Sequence, residues 1–167
     1  AFVREQDGLA GALAALGLFK PQLFFVFPLV FVASRRWRAL PAYGLTSLAR
    51  AGVSVARVGP AGLRAWLRIL VEPEASNVAA TAWRMASLKP FFETLLPGEV
   101  RVAMALYLAS CVVLLSALFG VWMSRTIAPQ IAWTMTSLVA VLVDPHLVDY
   151  DLSMLVPAGV FAAMNVQ

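Results

Sequence analysis

The stretch "VAVLVDPHLVDYDLSMLVPAGV", residues 139–160, decides the fold class. It crowds Asp144, His146, Asp149 and Asp151 into eight residues between long aliphatic flanks, and His146 is the chain's one histidine. A polar loop of a soluble domain is not framed in this way, and a plain membrane span does not tolerate four ionisable groups at its centre. Asp144-Pro145 supplies a break, because proline removes a backbone donor and drives the residue before it out of helical geometry. The stretch reads as the apex of two short helices that meet inside a membrane protein.

Composition supports that setting. Of 167 residues, 61% are hydrophobic and 13% charged, against about 45–50% and about 25% in an average soluble domain. Too little polar surface is left to coat a globule of this size, so lipid is the solvent for much of the chain. The net charge of +4 comes from basic residues that form no stripe interleaved with aromatics. Nucleic acid is therefore excluded as a partner, and the excess reads as the basic bias of cytoplasmic loops. Cys111, the one cysteine, forms no disulfide within the chain and is expected to face lipid or a neighbouring helix. Both termini read as those of a fragment of a longer protein.

Three apolar regions and a weaker one follow. Residues 9–34, "LAGALAALGLFKPQLFFVFPLVFVAS", are broken by Lys20-Pro21-Gln22 and read as a hairpin or a single kinked span. Residues 100–123 are long enough, at about 1.5 Å per residue, to cross a hydrocarbon core of about 30 Å. Residues 131–164 hold the broken helix pair. Residues 39–58 are the weak span, because Arg50 and Arg57 lie within it and a mid-membrane arginine needs a partner or a wet cavity. Arg35, Arg36 and Arg38 in "SRRWRAL" mark a cytoplasmic end. Gly59-Pro60 stops the weak span, and residues 59–99, with balanced charge, form an extracytoplasmic loop. In that loop "PAGLRAWLRILV" is an amphipathic helix suited to the membrane surface. Trp66 and Trp83 fit an interfacial belt. Arg125 marks the next cytoplasmic loop. The fold class is thus all-α, a polytopic transmembrane helical bundle with short broken helices.

The chemistry concentrates in the two breaks. Each half-helix of about 12 residues is too short to span alone, and broken helices persist at membrane depth where protein or a water-filled cavity surrounds them. "KPQ" and "DPHLVDYD" are expected to face one cavity on the extracytoplasmic side. For His146, Asp149 and Asp151, with Tyr150 beside them, three readings stand. They are a divalent-cation site, a proton-exchanging His–Asp pair, or a helix start capped by Asp149 or Asp151. The membrane setting favours a functional role over capping. Lys20 reads as a contact to an anion such as a phosphate, and Gln22 as a donor to a phosphate or sugar hydroxyl. Phe24, Phe25 and Phe27 read as packing or lipid-facing surface. No nucleotide-binding glycine loop, nucleophile elbow, cysteine cluster or HExxH is present.

Residues 8–40, followed by "GPAGLRAWLRIL" and then "DPHLVDYDLSMLVPA", resemble the C-terminal half of glycosyltransferase family 87. Lys20, Pro21, Gln22, Gly59, Pro60, Pro145, His146, Tyr150 and Asp151 match that family's pattern. The resemblance implies a GT-C-type polytopic enzyme of the bacterial plasma membrane. Its donor would be a polyprenyl-phosphate sugar, its product a hexose (mannose) on an envelope glycolipid or glycan, and its active-site face extracytoplasmic. It implies substrate-binding roles for Lys20, Gln22, Asp144, His146, Asp149, Tyr150 and Asp151, and no cofactor; a cation at His146, Asp149 and Asp151 is the less favoured alternative. Two departures stand out. Asp144 replaces a usual serine, and the family's presumed catalytic acid belongs to a loop that precedes the matched part. The competing classes are a proton-coupled transporter, which also uses broken helices and Asp/His relays, and a non-catalytic remnant.

Overall fold

A computed structural model describes residues 6–19, 21–71, 87–124, 126–145, 152–153 and 155–163. Among these residues every regular element is helical. Helix α1 (Asp7–Leu16) ends in a 3₁₀ turn, Gly17–Phe19, and is followed by short α2 (Pro21–Phe24) and α3 (Val26–Ala33). The long α4 (Ala39–Val71) comes next, then α5 (Leu88–Leu95), α6 (Val100–Met123), α7 (Pro129–Val143) and α8 (Leu155–Ala163). Helix α6 coincides with the expected span at residues 100–123 and, among the described residues, is the one long and apolar enough to cross a membrane.

The first apolar region doubles back. Arg36, just past α3, meets the Asp7 carboxylate at the start of α1 at 2.6 Å. Residues 29 positions apart thus share one end of the molecule, while the break between α1 and α3 lies at the other. Helix α4 then runs beside α1. Gly11 touches the start of α4 so closely that a β-carbon there would stand 2.1 Å from the Ala39 carbonyl oxygen. Close approach of backbones across small residues gives the two helices extensive packing contact. Buried Ala10, Ala14, Ala15 and Ala39 line this contact region.

Within α4 the expected stop at Gly59-Pro60 is present as a kink. Gly59 has φ 68° and ψ 177°, a backbone that a side chain would strain, and Pro60 is well suited to open the following helical segment. Much of α4 is apolar and outward-facing, with Leu45, Leu48, Val53 and Val58 all at least 60% exposed. Helix α6 shows the same pattern at Val112 and Val113. In α6, apolar residues outside as well as inside suit a helix that could cross a membrane.

Helices α6 and α7 are antiparallel, since Tyr107 reaches Val143 at one end and Trp122 reaches Thr136 towards the other. They enclose α3 in the main core of Val26, Val30, Leu118, Val139, Ala140 and Val143. Cys111 packs against this core, so of its two expected surroundings the structure selects the helix-facing one. The Phe24 and Phe27 rings stack at 5.2 Å, and Phe27 also packs against Trp133 at 6.0 Å, whereas Phe25 faces outward.

Candidate functional site

The described flanks of the two interruptions lie together. Leu23, one residue past the "KPQ" motif, is buried against Val141, three residues before Asp144. Leu152 and Leu155, which follow "DPHLVDYD", pack on the same pair. The flanks of the two motifs therefore form one apolar cluster, and Arg35 and Arg36 lie at the opposite end with Ser124 and Pro129.

Asp144 ends α7 in extended geometry, φ −66° and ψ 119°, as a residue before proline must. It is almost fully buried, at 2% exposure, and its carboxylate interacts electrostatically with Tyr107. Gln22 lies on α2, within the first break. Lys20, His146, Asp149, Tyr150 and Asp151 lie outside the described residues, as do Trp83 and Arg125.

Three residues that motif reading did not assign hold the breaks together. A helix end leaves its last carbonyls without intrahelical donors, and in a low-dielectric setting each needs a partner. At the end of α1 the Arg50 guanidinium donates to the carbonyl oxygens of Ala15, at 3.3 Å, and of Leu16. At the end of α2 the Tyr43 hydroxyl donates to the Phe24 carbonyl at 3.2 Å. Tyr43 and Arg50 are seven residues apart, two turns along one face of α4, so a single helix face grips both sides of the "KPQ" break. At the end of α7 the buried Tyr107 hydroxyl donates to the Val143 carbonyl at 2.7 Å, next to Asp144.

The arginine whose presence made residues 39–58 a weak span is thus satisfied by the negative end of α1, where a cation is favoured. The signal for it was legible as one of two arginines in an otherwise apolar stretch. Its partner was not, because nothing local links residue 50 to residue 16.

The family model for glycosyltransferase family 87 matches residues 1–148, which include the first break and the start of the second. No curated protein and no solved structure matches the chain. The match over most of the chain, the spanning helix α6 and the convergence of the two motif flanks agree with one another: the chain belongs to glycosyltransferase family 87, a family of membrane glycosyltransferases.

Proposed function

We propose that the chain forms the donor-binding part of a polytopic GT-C-type enzyme that moves a hexose, mannose, from a polyprenyl-phosphate sugar to a glycolipid or glycan of the bacterial envelope. The observation that supports this reading is the burial of Leu23 against Val141, Leu152 and Leu155, which joins the described flanks of the two motifs in one apolar cluster. A lipid-phosphate sugar needs apolar surface for its isoprenoid, cations for its phosphate and a wet pocket for its sugar. Short broken helices supply all three together.

In this reading Lys20 and His146 bind the phosphate, while Gln22, Asp144, Asp149, Tyr150 and Asp151 orient the sugar and its acceptor. The bond from the anomeric carbon to the phosphate oxygen breaks, and polyprenyl phosphate leaves with the electron pair. The acceptor oxygen attacks the opposite face with inversion, and its proton passes to a carboxylate acting as general base. None of the seven residues is assigned that base. The site faces outward across a multi-pass plasma membrane. The arginines at the opposite end support this orientation, since basic residues favour the cytoplasmic side.

The test is transfer of radiolabelled mannose from polyprenyl-phosphate mannose in membranes containing the protein. Lys20→Ala and His146→Ala should each lower the rate by about 10²-fold, the scale for losing a group that stabilises developing charge. Transfer untouched in both variants would overturn the assignment, and loss of proton-coupled uptake in its place would establish the carrier.

A further inference from the structure

The end of the molecule opposite the motifs carries a cavity of about 600 Å³ between the ends of α3, α6 and α7. Its polar side is formed by Ser34, Arg35 and Arg36, and its apolar side includes Trp122, Met123 and Ile127. A second hollow of about 460 Å³ shares Ser34, Arg35 and Arg36 and adds Arg38 and Asp7. Three guanidiniums thus border two adjoining hollows that hold a single carboxylate among their lining residues, and that carboxylate is bound to Arg36.

The backbone at Arg35 adds an independent observation. Helix α3 ends in a Schellman turn, with the Arg36 amide donating to the Phe31 carbonyl at 2.8 Å and the Arg35 amide to Val32 at 3.0 Å. The residue after the cap in such a turn takes left-handed geometry and is usually glycine. Here it is Arg35, at φ 57°, and among the described residues it is the one non-glycine with positive φ. A side chain thus stands where glycine would relax the backbone, and that side chain lines both hollows.

We infer that this cavity binds the headgroup of an anionic membrane phospholipid, with the phosphodiester on Arg35 and Arg36 and the first acyl segment along Trp122, Met123 and Ile127. The choice of a lipid over a soluble anion follows from the apolar wall and from position. The cavity opens at the last turn of the spanning helix, where lipid headgroups lie, and basic pockets between helix ends suit them. The site stands apart from the two breaks and does not depend on the reaction assigned to them.

The test uses the purified full chain in a neutral maltoside detergent, with dioleoyl phosphatidylglycerol or dioleoyl phosphatidylcholine added at equal concentration. Phosphatidylglycerol should raise the melting temperature by several degrees and appear as a one-to-one adduct by native mass spectrometry, whereas phosphatidylcholine should do neither. Arg35→Gly should abolish both effects while melting no lower than the wild type without lipid, because glycine relaxes the turn. Arg35→Asn, which also tolerates left-handed backbone, provides the same test should glycine loosen the chain. An undiminished response to phosphatidylglycerol in both variants would overturn the site, as would equal stabilisation by phosphatidylcholine. Equal stabilisation by glycerol phosphate would overturn the lipid in favour of a soluble phosphate.

Discussion

The two interrupted regions meet the same physical problem with different donors. At the first break, α4 supplies a charged guanidinium and a tyrosine, both only partly buried, to the carbonyls that end α1 and α2. At the second, α6 supplies one buried tyrosine to the carbonyl that ends α7, beside a buried carboxylate. In each case a longer neighbouring helix satisfies what the short helix cannot satisfy within itself. The contrast teaches that solvent access, more than charge, sets how much each donor matters. Water or a headgroup can replace a partly exposed arginine more readily than the buried Tyr107 hydroxyl.

The harshest way to break the comparison removes the first grip altogether. Gly11→Val places a side chain against the Ala39 carbonyl, so α4 must part from α1, and overpacking of this kind costs about 1–3 kcal/mol or more. The expected result is a fall in melting temperature of the detergent-purified protein larger than for either donor variant below. Tyr107→Phe comes next. It leaves the buried Val143 carbonyl without the Tyr107 hydroxyl, a loss on the order of 1–3 kcal/mol. A cysteine placed at exposed Ser153, in a Cys111→Ala background, should then react faster with maleimide. Arg50→Gln should be mildest, about 1 kcal/mol or less, because its site is partly open and glutamine still donates. It should speed labelling of a cysteine at Gln22 and leave Ser153→Cys unchanged. Should Arg50→Gln destabilise more than Tyr107→Phe, the ranking by solvent access fails.

Much of the fold was legible locally. Residues 100–123 form an apolar run with no charge after Arg101 at its start, and the helix occupies the same residues because hydrophobic length needs no partner to be read. The stops at Gly59 and at Asp144-Pro145 were legible for a similar reason, since backbone restrictions of glycine and proline act within one or two residues. For residues 9–34 the sequence allowed either a hairpin or a kinked span. The Asp7–Arg36 bridge brings the ends together, a contact between positions that no periodicity relates.

The candidate site divides along the same line. Residue chemistry alone marked "KPQ" and "DPHLVDYD" as breaks expected to carry function, and the order of motifs along the chain pointed to the family. That their flanks share one buried cluster, that Arg50 belongs to α1's end, and that Arg35 takes a glycine's place in a turn were decided by tertiary structure alone. Apolar periodicity says which residues leave water or face a neighbour. Which neighbour they face depends on helix directions and close backbone approaches, and those are set by contacts between residues far apart in sequence.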